Sequence, residues 1–174
     1  IENHLRENFS RANNMTDRFN AFSQLVFSTE YKSDDIVVDF YEKYKNQTLV
    51  VQKWISTLAT VDSEEVFEHI KKIEGLAEFD IKVPNIVRSL VGSFAMRNHG
   101  QFHRPDGDGY KYVVDKILKL DDINPQIAAR LSSAFNIFTK LESSQREVMK
   151  KELMRLSDKP ELSKNVAEII NKIL

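Results

Sequence analysis

Apolar residues recur every three or four positions along almost the whole chain, and no stretch gives a convincing alternation of apolar and polar residues. This spacing puts apolar side chains on one face of an α-helix, whereas a half-buried strand has a period of two. The segment after Ser163 is typical, because Val166, Ile169, Ile170 and Ile173 share one side. The sequence therefore predicts an all-α fold with roughly nine helices of about 10–14 residues, a usual length in globular proteins.

Several sequence signals mark where these helices begin. Thr16 is the expected N-cap of the second helix, and Asp62 with Glu65 has the spacing of a capping box. Asn124 is expected to cap a later helix that carries Pro125 in its first turn, and Ser163 is expected to cap the last helix. The connections between helices are short, so successive helices are expected to pack as antiparallel hairpins.

A row of such hairpins can close into a bundle or stack side by side as an α-solenoid. No sequence repeat with a fixed period decides between the two arrangements. We favour a short, irregular HEAT-like superhelix and expect residues 1–174 to form a single domain.

The charge balance and composition exclude several classes of function. The 25 basic and 26 acidic residues give a net charge of −1, which is not the footprint of a protein that binds nucleic acid or an anionic membrane. Cysteine is absent, so disulfide and thiolate chemistry are excluded. No apolar run approaches the roughly 18 residues that a membrane-spanning helix needs. We therefore expect a cytoplasmic monomer with neither nucleic acid nor membrane as a partner.

The first residue is Ile1 rather than Met. We interpret the chain as a segment of a longer polypeptide.

The block from residue 84 to residue 131 carries the least generic chemistry. It places Arg88 and Arg130 on neighbouring predicted helices, and Gln126 lies four residues before Arg130 and so on the same face. An amide and a guanidinium one turn apart can bind carbonyl oxygens or a carboxylate. The alternative is that both arginines form ion pairs with nearby acids such as Asp121 or Asp122.

Gly92 lies within the same block. Because it has no side chain, another backbone could approach the helix there, but simple helix-helix packing is the interpretation that we favour.

The segment 98–109 resembles a metal site at first sight. It contains His99, His103 and an Asp-Gly-Asp-Gly run, but the later ligands of an EF-hand are missing and the histidines lie in a Gly- and Pro-interrupted stretch. We predict an irregular structured turn and no metal site. The sequence also lacks a zinc-binding His-Glu-x-x-His helix, a nucleophile elbow and a phosphate loop, so no catalytic residue is predicted.

Several separate motifs resemble one known family. They are RSLVGSFA at 88–95, FH at 102–103, DGDGY at 106–110 and NPQIAARL at 124–131, with NMTDR at 14–18 and LVVQKW at 49–54 before them. Taken in the order in which they occur along the chain, these motifs resemble the C-terminal domain of bacterial aminopeptidase N, in the zinc gluzincin family of metallopeptidases. The likeness covers essentially the whole chain.

This resemblance implies a function that the residues alone do not. Members of the family remove N-terminal amino acids from peptides with one zinc ion, which is held by an earlier domain absent here. Their C-terminal domain is a helical superhelix that caps the active-site cavity and controls peptide access. By the same resemblance, Arg88, Gln126 and Arg130 would bind the peptide substrate beyond the scissile bond, while this chain would bind no zinc and would be inactive alone. Its partners would be the catalytic domains of the same polypeptide and peptide substrates.

Two other functions fit the residues without the resemblance. One is a free-standing α-solenoid that grips a protein segment as an interaction scaffold. The other, weaker, is self-association through an apolar patch.

Overall fold

A computed structural model describes residues 1–28, 33–77 and 79–174. All regular structure in these ranges is helical, so the all-α prediction is confirmed. The first five helices are α1 (Glu2–Arg11), α2 (Met15–Phe27), α3 (Asp34–Tyr44), α4 (Thr48–Leu58) and α5 (Glu65–Glu74). The central part consists of α6 (Pro84–Val87), a π-helical segment (Arg88–Gly92), α7 (Ser93–Arg97) and the short α8 (His99–Phe102). The last part consists of α9 (Asp108–Asp121), α10 (Pro125–Ser132), a 3₁₀ segment (Ser133–Lys140), α11 (Ser143–Ser157) and α12 (Lys164–Ile173).

Two of the predicted N-caps are correct. The side-chain oxygen of Asn124 accepts a hydrogen bond from the backbone N–H of Ile127 at 3.2 Å. The hydroxyl of Ser163 likewise accepts from the N–H of Val166 at 3.4 Å. Each satisfies an N–H that the first turn of a helix leaves without a partner.

The two other predicted starts are wrong. Asn14, not Thr16, caps α2, and its amide oxygen accepts from the N–H of Asp17 at 2.9 Å. Helix α5 begins at Glu65 itself, and Asp62 accepts instead from the side-chain amide of Gln101 at 3.4 Å. A different side chain thus caps α2, whereas α5 begins without a side-chain cap, and the spacing of the residues alone does not distinguish these outcomes.

The segment 98–109 is more regular than predicted. Asn98 caps the single turn of α8, and the rings of His99 and His103 stack in parallel with centroids 6.1 Å apart across that turn. Helical spacing therefore does apply to these two histidines, contrary to the prediction. Gly107, with φ of 84°, then turns the chain into α9.

The helices stack as hairpins in two layers. Neighbouring helices pack in pairs from α1 to α5 and again at α9 with α10. Alternate helices also touch, since α2 contacts α4, α4 contacts the π-helical segment, α9 contacts α11 and α10 contacts α12. This is the order of an α-solenoid, in which each hairpin packs on the next, and the predicted superhelix is confirmed.

The centre of the stack is held by buried aromatic rings. Phe102 lies in contact with Tyr110 (centroids 5.1 Å apart), Phe135 (5.5 Å) and Phe94 (6.4 Å), and all four rings are almost fully buried. Because such interiors are close-packed, the helices of the block 84–131 are held at fixed positions relative to one another.

None of the helices among the described residues combines the length and the apolar character that crossing a bilayer requires.

Candidate functional site

A groove of about 250 Å³ lies between the π-helical segment with α7 on one side and α10 on the other. Its floor is largely apolar and includes Gly92, Ile127 and Leu131, while guanidinium groups stand around it. The lining residues are Arg88, Gly92, Ser93, Met96, Arg97, Ile127, Arg130 and Leu131. The structure therefore brings Arg88 and Arg130 together, as the sequence predicted.

Gln126 is placed differently from the two arginines. It is exposed on α10, one turn before Arg130, but it does not line the groove. A contact between Gln126 and a bound peptide therefore stays a prediction.

Arg97 also lines the groove, although the sequence did not single it out. Nine residues separate it from Arg88, which on a regular α-helix would put the two side chains about 180° apart. The π-helical segment contains one extra residue in its turn, and this reduces the angle to about 80°. The hydroxyl of Ser93 donates to the carbonyl of Arg88, five residues earlier, at 3.5 Å, as this wider turn requires.

The chain has nine arginines. Those of the groove differ from the others in the ion pairs and hydrogen bonds that their side chains form. Five form ion pairs with carboxylates: Arg6, Arg11, Arg18, Arg104 and Arg155. Arg146 donates to the carbonyls of Thr139 and Leu141. Within the described ranges, Arg88, Arg97 and Arg130 have neither a carboxylate nor a hydrogen-bond acceptor. All three line the same groove, so it carries positive charge that the described residues do not neutralise.

The predicted alternative, in which Asp121 or Asp122 pairs with these arginines, is wrong. Both carboxylates bind the ammonium of Lys159, at 2.9 Å and 2.6 Å. Asp121 also accepts from the backbone N–H of Ser163 at 3.0 Å. Burial alone would raise the pKa of Asp121, but these hydrogen bonds and the ammonium outweigh it and lower that pKa. The acids next to α10 thus fasten α9 to the loop before α12.

The histidines form no metal centre. In the described part of the chain, no group of three or more His, Cys, Asp or Glu side chains could hold a metal ion. His103 instead shares a hydrogen bond of 2.8 Å with the hydroxyl of Tyr110, and the side-chain amide of Gln145 donates to its carbonyl. These contacts join α8 to α9 and α11.

Comparison with known proteins identifies the family of this chain. The whole chain, residues 1–174, matches the family model described as "Domain of unknown function (DUF3458_C) ARM repeats". The chain belongs to this ARM-repeat family. The repeat type agrees with the stacked hairpins and with the superhelix that the sequence predicted.

Relatives of this ARM-repeat domain are named as peptidases. Aminopeptidase N of Haemophilus influenzae is 36% identical over 172 residues, which are 99% of this chain and 20% of that protein. Aminopeptidase N of Escherichia coli K12 is 32% identical over 95% of this chain and 19% of that protein. The predicted resemblance to aminopeptidase N is therefore confirmed.

A solved structure gives the same match in three dimensions. The crystal structure of Legionella pneumophila aminopeptidase A in complex with aspartic acid has a TM-score of 0.90 and 32% sequence identity. The match covers 98% of this chain and 20% of that one. The ARM-repeat domain thus spans about one fifth of the length of the relatives it matches.

Proposed function

We propose that residues 1–174 form one non-catalytic domain of a zinc aminopeptidase, a hydrolase that removes N-terminal amino acids from peptides. The domain caps the active-site cavity and controls which peptides enter. This proposal is supported by relatives that are named aminopeptidases and are about five times as long as this chain. The additional length leaves room for the catalytic machinery that this sequence lacks.

The zinc ion of such an enzyme would be bound outside this chain. The described residues do not fit a zinc site, because a zinc ion needs three or four His, Cys, Asp or Glu ligands and no such cluster exists among them. The domain by itself should therefore not hydrolyse peptides. Its own contribution is to bind and orient the substrate.

The observation that carries the proposal is the groove with its unpaired arginines. A peptide held by its N-terminal amine at a catalytic centre extends away from it with carbonyl oxygens and, at its end, a carboxylate. Guanidinium groups bind both, since they remain charged at any working pH and present a planar set of donors. Arg88 and Arg130 stand at opposite sides of the groove, and Gln126, exposed on α10 one turn before Arg130, would add an amide that can bind the peptide backbone.

The test compares two substrates in the full-length enzyme. We expect Arg130→Ala to lower kcat/KM about tenfold for a tetrapeptide, because one charge-assisted hydrogen bond to the peptide is lost. An aminoacyl amide does not reach the groove, so its kcat/KM should change little. Arg11→Ala is the control, since Arg11 is an exposed arginine on α1 that pairs with Glu7 and lies outside the groove.

Equal losses on the tetrapeptide and the amide would contradict a role beyond the scissile bond. A protein that co-purifies with this domain in a fixed ratio, together with unchanged peptidase activity of the variants, would instead favour the free-standing scaffold.

A further inference from the structure

The groove continues beyond Arg97 into a second depression of about 530 Å³ on α2 and α4. Its lining residues are Phe19, Leu49, Gln52, Lys53, Ser56, Thr57, Ser89 and Arg97. Arg97 lines both depressions, so they adjoin at this residue and form one surface along α2, α4, the π-helical segment with α7, and α10. A peptide that extends past Arg88 and Arg130 has a path along this surface.

The second depression is also positively charged. Lys53 is exposed there, and its ammonium lies 5.7 Å from the centroid of the Phe19 ring. Apart from that ring, Lys53 and Arg97 have no ion pair or side-chain hydrogen bond within the described residues. The other side chains that line the depression carry hydroxyls, an amide or apolar groups.

Among the described residues, acidic side chains are absent from the lining of both depressions. The chain contains 26 acidic residues against 25 basic ones, yet no described acidic residue lines either depression. Four cations, Arg88, Arg97, Arg130 and Lys53, lie along it. A local excess of one sign on a nearly neutral protein raises the local concentration of ligands of the opposite sign.

The geometry points to a second subsite, formed by Arg97 and Lys53, that binds an acidic side chain of the peptide substrate. Arg88 and Arg130 bind the part of the peptide nearer to the scissile bond, and Arg97 with Lys53 selects for a carboxylate further along. The assignment rests on the proposed function, because it needs a peptide in the groove. It makes the domain a determinant of substrate sequence as well as of substrate length.

A peptide suits this surface better than a nucleic acid or a lipid headgroup. The cations lie along an apolar floor that includes Phe19, Leu49 and Ile127, and a peptide presents apolar and acidic side chains together. Phosphate-rich ligands need a dense basic patch, which is absent from a surface with four cations spread over four elements.

The test uses the full-length enzyme and tetra-alanine peptides with an amidated C-terminus, which removes the terminal carboxylate. Asp or Asn replaces one Ala at the second, third or fourth position in turn, and the initial rate of release of the first Ala is measured. Asp and Asn have nearly the same size, so the ratio of their kcat/KM values reports the charge. We expect the wild-type enzyme to favour Asp over Asn at the third or fourth position by about three- to tenfold, and this ratio to fall as salt is added.

Arg97→Gln should bring the ratio close to one, and Lys53→Gln should lower it. Arg97→Lys should restore most of it, because it keeps the charge. Arg11→Gln, outside the groove, should keep the wild-type ratio. A wild-type ratio near one at every position, or a ratio that Arg97→Gln leaves unchanged, would overturn the subsite.

The two proposals fail in different ways. If Arg130→Ala impairs tetrapeptides but not the amide while the Asp-to-Asn ratio is one, only the acidic subsite is wrong. If Arg130→Ala affects the amide and the tetrapeptide equally, the groove does not bind substrate and both proposals are wrong.

Discussion

Asn98 is a polar side chain in the interior beside the candidate site, with only 2% of its surface exposed. Its amide donates to the carbonyls of Ala59 and Val61, at 3.2 and 2.8 Å, and its oxygen accepts from the N–H of Gln101 at 3.3 Å. These bonds fasten the end of α4 to the start of α8. The π-helical segment and α7, just before Asn98, line both depressions, and α4 lines the second, so this residue helps to hold the two parts of the groove together.

We expect Asn98→Ala to lower the free energy of unfolding by about 2–3 kcal/mol, because it leaves buried carbonyls and an N–H without partners. Asn85→Ala is the matched control, since Asn85 is exposed on α6, and it should change that free energy by less than about 0.5 kcal/mol. Urea denaturation of the three proteins measures both changes. Similar values for the two variants would mean that water replaces the amide at Asn98.

Individual residues divide sharply into those that the sequence could and could not predict. Asn124 and Ser163 were predictable as caps because their partners lie three residues away. The role of Asn98 was not, since Ala59 and Val61 are almost forty residues earlier in the chain and only the tertiary fold brings them close. The unpaired state of Arg88 and Arg130 could not be predicted either. It depends on the position of Lys159, which forms ion pairs with the neighbouring acids Asp121 and Asp122.

Among the elements, the π-helical segment at Arg88–Gly92 decides the composition of the groove. Apolar residues recur at helical spacing through this region, and all of them are buried: Ile86, Val87, Leu90, Val91 and Phe94. This pattern is equally compatible with an unbroken α-helix, so it gave no sign of the extra residue. Arg97 was therefore missed, while the helix itself was predicted correctly.

In this region backbones approach each other closely at Gly109 and not at Gly92, where the favoured interpretation was simple helix packing. A Cβ at Gly92 would meet only ordinary contacts, the nearest being the Cβ of Arg88 at 3.9 Å. A Cβ at Gly109 would lie 2.3 Å from the carbonyl oxygen of Gln101 and 2.4 Å from that of Phe102. Gly109 thus lets α9 pack directly against the end of α8.

We expect Gly109→Ala to destabilise the fold by about 1–3 kcal/mol, because the methyl group forces α8 and α9 apart. Gly92→Ala should instead leave stability unchanged or raise it by up to about 1 kcal/mol, since alanine loses less backbone entropy in a helix. Thermal or urea unfolding of the pair distinguishes the two sites. A loss at Gly92 as large as that at Gly109 would show that the backbones also meet at the π-helical segment.

At the scale of the whole molecule, each depression spans elements far apart in sequence. The first joins the π-helical segment to α10, and the second joins α2 and α4 to the same central elements. Alternate helices lie in one layer of a solenoid, so their exposed faces form a continuous surface without any helix being specialised for it. The short connections in the sequence predicted the antiparallel hairpins, but which side chains share the surface depends on how successive hairpins rotate, and no local pattern encodes that.

The stability of the whole fold should also depend on pH through its buried histidines. His69 is only 7% exposed, beside Trp54 and Leu58, and its Nδ1 has no hydrogen-bond partner. Burial, and after it the charge of Lys72, lowers the pKa of His69. Burial also lowers the pKa of His103, with a smaller contribution from His99.

The sign of this effect follows from proton binding. Between the ordinary histidine pKa of 6.5 and the lower folded values, the unfolded chain binds more protons than the folded one. The free energy of unfolding must therefore fall as the pH drops below about 6.5, by at most about 1.4 kcal/mol per pH unit for each histidine. Asp121 does not oppose this change, because its lowered pKa affects stability only near and below its ordinary value of 3.8.

We therefore expect urea denaturation at pH 5.5 to give a lower free energy of unfolding than at pH 7.5. His69→Leu should reduce the difference, because it removes the buried group that the unfolded chain protonates and places an apolar side chain beside Trp54. The remaining difference then belongs mainly to His103, whose ring stays fixed against Tyr110. His4→Gln, on the exposed side of α1, is the control and should leave the pH dependence as in the wild type. A His69→Leu variant with the full wild-type pH dependence would show that protonation of His69 does not limit the stability of the solenoid.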